Sequence, residues 1–201
     1  YRYNMKQEKG EGYISNKYLR ELVVKFNKMN INDTGEWCDA YERKLENKNN
    51  KKSITEDKYE VSKDFIQRKR EEIRALHERY NTMTPEERHK FNMEFEQVKK
   101  DICDAFIKVI NGRIISFKLV QSPAYEEIDD IRQEALMTLF TYINRYDETR
   151  NSSAFAFVTQ LITNALNLYL SEMNERNEKE IAGLDFYENL NTLDDPYGDD
   201  N

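Results

Sequence analysis

A chain of 201 residues with 38% hydrophobic and 34% charged residues has material for one ordinary core plus helical appendages, not for two full domains. Its net charge of −7 argues against gripping nucleic acid unaided, since that rests on Lys and Arg neutralising phosphates. Six Gly, three Pro and long stretches of Glu and Lys mixed with apolar residues at three- and four-residue spacing predict an all-α protein. Nothing reads as a secretory signal or a membrane span, and Cys38 and Cys103 are too isolated for a metal site or a disulfide framework, so the cytoplasm is the expected compartment. His77 and His89 lie in strongly charged sequence, no Gly-rich phosphate loop is present, and no nucleophile stands beside a base; the expectation is a protein that is not an enzyme and needs no cofactor.

The first predicted element is an amphipathic helix over residues 14 to 29, with Leu19, Leu22, Val23 and Phe26 on one face and Ser15 or Asn16 as its cap. From about 40 to 83 the chain is densely charged. "ENKNNKKS" reads as an exposed loop, and Val61, Phe65, Ile73, Leu76 and Tyr80 form a thin apolar seam, so a helical arm is expected. Thr84-Pro85-Glu86-Glu87 supplies a cap, a first-turn proline and a capping-box Glu. A long helix follows toward Val120, carrying Phe91, Phe95, Val98, Ile102, Ala105 and Val109, with Asn111-Gly112 as a point where it can bend.

Ser122-Pro123 opens the next helix, "DETRNS" from Asp147 breaks it, and Asn151 or Ser152 can cap a third from about 153 to 176. The last twenty-five residues turn acidic and read as a loose tail. The organisation expected is an N-terminal helical segment (1–39), a charged helical insertion (40–99), a helical body (100–180) and a flexible acidic tail (181–201).

Within "DIRQEALMTLFTYINRYD", Ile128, Ile131, Ala135, Leu139, Tyr142, Ile143 and Tyr146 form a core stripe. Opposite lie Asp130, Glu134 and Met137, with Gln133 and Phe140 at the edge. Acidic residues interleaved with Met and Phe on an outer face suit a protein partner, the apolar anchors giving affinity and the carboxylates matching a basic surface.

Asp130-Ile131-x-Gln133-Glu134-Ala135, then Leu139, Ile143 and Arg145-Tyr146-Asp147, resembles conserved region 2.2 of bacterial sigma factors of the sigma-70 class, in register and without a gap. Phe157, Thr159, Ile162 and Ala165-Leu166 fall where that family has its aromatic, threonine and apolar positions in regions 2.3 and 2.4. "NSSAFAFVTQLITNAL" and "YISNKYLRELVVKF" look most like the small late-gene sigma factors of tailed bacteriophages. The resemblance covers residues 124 to 176 well, 13 to 30 and 100 to 120 loosely, and 40 to 95 hardly at all, where many sigma factors carry a variable insertion.

The resemblance implies a sigma region 2-like helical bundle in which Asp130, Gln133, Glu134, Leu136 and Phe140 meet the basic clamp coiled coil of the largest subunit of RNA polymerase core. It implies that Phe157 stacks on a base flipped from the minus-ten element of promoter DNA, and that Asn164 and Asn167 read its upstream edge. Periodicity alone leaves Phe157 as either an outward ring or a neighbour of the stripe formed by Phe155, Val158, Ile162, Ala165 and Tyr169. Gln160 and Leu161 replace the family's tandem tryptophans, and after residue 170 Arg176 and Lys179 stand against Glu172, Glu175, Glu178 and Glu180. DNA contact is therefore expected to lean on Lys or Arg of the inserted arm, or on polymerase. "GLDFYENL" resembles the peptide by which phage late sigma factors attach to a DNA sliding clamp, with Leu184, Phe186 and Tyr187 filling a pocket; the same segment reads equally as a plain tail. The function expected is a sigma-like initiation factor, and the alternative is a polymerase-binding regulator that keeps the docking helix without reading DNA.

Overall fold

The computed structural model describes residues 14–119, 127–150 and 153–193, with backbone alone at 177 and from 180 onward. Every regular element among the described residues is helical: α1 (Asn16–Met29), α2 (Glu36–Asn50), α3 (Glu56–Thr82), α4 (Pro85–Ser116), α5 (Ile128–Tyr142) and α6 (Ala154–Leu193), with one 3-10 turn at Ile143–Arg145. None is long and apolar enough to cross a membrane.

Ser15 caps α1, its hydroxyl accepting from Tyr18 N at 3.2 Å, and the expected face of Leu19, Leu22, Val23 and Phe26 is buried. The capping box of α4 is complete: the Glu87 carboxylate accepts from Thr84 N at 2.8 Å and Thr84 Oγ1 accepts from Glu87 N at 3.3 Å. These two helices pack along one another, and α5 and α6 close the bundle. Phe106, Ile110, Ile131, Leu139, Ile143, Tyr146, Ile162 and Leu166 are among its most deeply buried side chains.

The insertion is a helical hairpin, α2 against α3, with a separate small core of Cys38, Leu45, Phe65 and Ile66. Gly35 starts it with a φ of 77°, a left-handed conformation that glycine adopts without strain, and its N–H donates to Asp33 Oδ1 at 2.9 Å. The hairpin is fastened at the connector between α5 and α6. Arg68 reaches Asp147 at 2.6 Å, and buried Lys69 reaches Glu148 at 3.2 Å and Glu72 at 2.8 Å. Asp33 Oδ2 accepts from both Trp37 Nε1 at 3.2 Å and Asn144 Nδ2 at 3.0 Å, and His77 Nε2 lies 3.0 Å from the Asp33 carbonyl.

Several expectations change. The "ENKNNKKS" loop is largely the exposed last turn of α2, which runs through Asn50 before a tight turn in which Lys52 takes a φ of 50°. Val61 is 53% exposed and Ile66 takes its part in the seam, because α3 faces α2 there rather than the main core. The long helix passes Asn111-Gly112 without a break and ends at Ser116, so α4 also runs unbroken across the expected division at 99/100. Neighbours on α1, α5 and α6 hold its sides, which outweighs one glycine's propensity cost of about 1 kcal/mol.

The Ser122-Pro123 start lies outside the described residues, and α5 is described from Ile128. The cap of α6 is Ser153, whose Oγ accepts from Ala156 N at 3.2 Å, rather than Asn151 or Ser152. From there α6 continues well past 176 to Leu193. Glu178, Lys179, Glu180, Ile181 and Ala182 carry good helix propensity there, so the segment expected to be a loose tail is helical to that point. Leu184, Phe186 and Tyr187 therefore sit on helical backbone, and their side chains lie outside the described residues.

Candidate docking helix and nucleic-acid face

Helix α5 is covered on more than one side, by α6 and by α4, which widens its buried arc beyond the expected stripe. Ile128, Ile131, Ala135 and Leu139 are buried as expected, while Leu136 and Phe140 are drawn into the same core from its rim. Phe140 is half-buried, its ring centroid 5.7 Å from Phe26 and 5.5 Å from Phe106. The expectation of Phe140 as an exposed anchor is thus corrected: two rings from α1 and α4 reach it. The outer face that remains is Asp130, Gln133 and Met137, with Glu134 half-buried beside them and Met137 at 55% exposure. Asp129 and Arg132 pair along the helix, and Arg132 Nε donates to Asn111 Oδ1 at 2.9 Å, tying α5 to α4 without touching that face.

On α6 Phe157 takes the second of its two open positions, a neighbour of the core stripe, while Phe155 departs from its expected place in the core. Phe157 is half-buried against Tyr146, centroids 5.6 Å apart, because the connector folds over that flank. Phe155, expected in the core, is 36% exposed at the first turn, where it lines a cleft with Gly112 of α4. Phe157, Gln160, Asn164 and Asn167 recur at helical spacing along one outer flank. Gln160 Nε2 donates to Asn164 Oδ1 at 2.8 Å, and Asn167 and Leu168 are exposed beyond them.

A cleft missed by sequence reasoning opens between α4 and the start of α6. It holds about 270 Å³ and is lined by Ile14, Val109, Gly112, Arg113, Phe155 and Thr159, among others. Arg113 Nη2 donates to Thr163 Oγ1 at 2.8 Å, but Arg113 Nε and Thr159 Oγ1 are buried with no hydrogen-bond partner among the described residues. An exposed ring beside an apolar floor suits the face of a planar group. No residue spacing in the strongly charged sequence of α4 points to it.

Glu127, Tyr169 and Arg176 are committed to structure. Tyr169 donates to Glu127 at 2.6 Å and Arg176 to the same carboxylate at 3.1 Å; the Tyr169 hydroxyl foremost, with Arg176 assisting against desolvation, holds Glu127 below the usual carboxylate range. Arg176 is thereby drawn toward α5. Burial pushes the Cys38 thiol up to about 11, with nearby acids adding to it and Arg70 opposing, so it is no nucleophile near neutral pH. No cluster of His, Cys, Asp or Glu among the described residues is arranged to hold a metal ion. No protein-family model, curated protein or solved structure matches the chain.

Proposed function

We propose that the chain is a sigma-like transcription initiation factor, which binds RNA polymerase core through α5 and meets a promoter strand along α6 and the cleft beside it. The observation that carries the reading is the pairing of two packed helices with differently equipped outer faces. One offers Asp130, Gln133 and Met137 to a protein. The other offers amides and a half-covered ring, next to a cleft edged by the exposed Phe155 ring. Carboxylates around one exposed thioether fit a basic coiled coil, since the apolar anchor supplies affinity and the charges supply orientation. Amide side chains with an accessible aromatic fit unpaired bases, which expose both edges and faces. The residue pattern shared with sigma region 2 supports the same assignment.

A second reading, a polymerase-binding regulator that does not read DNA, is favoured by the Tyr146 contact that half-covers Phe157 and by the engagement of Arg176 with Glu127. One experiment separates the two. Run-off transcription with purified core on duplex and on pre-melted templates should require this chain. Asp130→Lys with Met137→Ala should weaken core binding by about 1 to 3 kcal/mol. Asn164→Ala with Asn167→Ala should bind core normally and lose duplex promoters selectively. Core binding with no transcription on either template would assign the regulator role, and no core binding at all would end both readings.

A further inference from the structure

The tip of the α2–α3 hairpin is the most concentrated positive surface of an acidic chain. Residues 43 to 52 hold Arg43, Lys44, Lys48, Lys51 and Lys52 against one acid, Glu46, a local charge of +4 where the whole chain carries −7. Adding Glu56, Asp57 and Lys58 from the start of α3 still leaves +3. All five cations are exposed, and among the described residues none is in an ion pair.

The base of the same hairpin is the reverse case. Arg68, Lys69 and Arg70 are each paired with carboxylates at 2.5 to 3.2 Å. Completing the α2 dipole needs only Lys48, which already stands in the last turn. The remaining cations have no structural work at the tip, although unneutralised like charges repel one another there.

The tip is also held in shape. Lys51 N donates to Asn47 O at 3.2 Å, Lys52 N to Asn49 O at 2.9 Å, and Ser53 closes the turn through both its N–H and its hydroxyl on Lys48 O. Leu45, Ile54 and Tyr59 back it from inside the hairpin core. Helix α2 carries it about 22 Å from Gly35 at 1.5 Å per residue.

Which partner fits is decided by what the tip lacks. No large apolar side chain between residues 43 and 58 is exposed, whereas a protein interface draws its affinity from such anchors. Unpaired cations interleaved with Asn47, Asn49 and Asn50 match phosphate oxygens, which need charge and hydrogen bonds and no apolar surface. We propose that this tip is a sequence-independent binding surface for the phosphate backbone of duplex DNA. Such a role goes beyond the docking and promoter functions proposed for α5 and α6 and stands without them.

The test uses the full chain and a duplex of random sequence, with affinity measured from about 50 mM salt upward, where phosphate binding is strongest. The triple variant Lys48→Glu, Lys51→Glu, Lys52→Glu is compared with Lys63→Glu, Lys90→Glu, Lys100→Glu, which makes the same charge change at exposed positions elsewhere. The tip variant should bind at least tenfold more weakly, and its plot of log affinity against log salt should be shallower by about 2 to 3, at about 0.9 for each phosphate no longer neutralised. The control should keep the wild-type slope. Equal weakening of both triples would reduce the effect to net charge and overturn the proposal. So would a wild-type chain with no salt-dependent binding to the duplex, and binding of polyglutamate in its place would assign the tip to an acidic protein segment.

Discussion

Glu148→Gln and Lys69→Met break the same buried contact and should not cost the same. Lys69 is nearly enclosed, with 6% of its side chain exposed, and its ammonium lies 3.2 Å from Glu148 and 2.8 Å from Glu72. Neutralising Glu148, itself 20% exposed, leaves a buried cation relying on Glu72, which is 42% exposed and well hydrated. Breaking a fully buried pair costs about 3 to 5 kcal/mol; the surviving Glu72 contact and the Gln carbonyl should reduce that to about 1 to 2 kcal/mol. Lys69→Met removes the desolvated charge, keeps an apolar stem near the Phe65 ring, and leaves Glu148 free to take water, so it should fall within about 1 kcal/mol of wild type. Trp37 is the chain's single tryptophan and sits where the hairpin meets the body, with Arg145 over its ring and Phe65 beside it. Urea unfolding followed by its fluorescence, with far-ultraviolet dichroism as the global probe, measures both variants. Equal destabilisation by the two, or none by Glu148→Gln, would refute the account of the hairpin's attachment.

Phe140→Ala should lower stability by about 2 to 3 kcal/mol, a melting temperature about 4 to 12 °C lower, because the ring fills space between Phe26 and Phe106; Met137→Ala three residues away should stay within about 0.5 kcal/mol, and thermal melts that reverse this order would restore Phe140 as a surface anchor. Burial opposes ionisation of Asp147, but the Thr149 hydroxyl and amide and the Arg68 and Arg150 guanidiniums outweigh it and hold the carboxyl below its ordinary range. A depressed folded-state value means that its contribution is present above the unfolded value near 4 and is lost as pH falls through the folded one, so Asp147→Asn should flatten the acid limb of stability below about pH 4, which acid titration of Trp37 fluorescence checks.

Elements whose signals are local can be read in advance. The Thr84-Pro85-Glu86-Glu87 box needs nothing beyond four residues, and it forms as expected. The stripe from Ile128 to Tyr146 needs only periodicity, and its members apart from Tyr142 are buried. What escapes is set by neighbours distant in sequence. No spacing rule reveals that Phe26 and Phe106 reach Phe140, or that Tyr146 covers the flank holding Phe157 and leaves Phe155 at an open cleft. The start of α6 escapes for the same reason: Asn16, 137 residues upstream of Ser153, accepts from the Ser153 hydroxyl at 2.7 Å and from Phe155 N at 3.0 Å. The end of α6 fails differently, since its acidic composition suggests looseness while its Glu, Ala and Lys also favour helix.

The connector from Ile143 to Arg150 explains why so much of the molecule converges on a short stretch. Its Asn144, Asp147 and Glu148 carry the hairpin, its Tyr146 carries Phe157, and the Ile143 and Glu148 carbonyls accept from Asn27 Nδ2 at 3.1 Å and Arg20 Nη2 at 3.0 Å on α1. Helices α5 and α6 are joined by this stretch and pack on one another, so the outer faces of the two helices and the hairpin are held by the same residues. The hairpin is attached at Asp147 and Glu148, next to Tyr146, which packs on the ring of Phe157. The residues Arg145-Tyr146-Asp147 thus have a structural reason to be what they are. Arg145 stacks between Trp37 and Tyr142, Tyr146 fills the core, and Asp147 anchors Arg68.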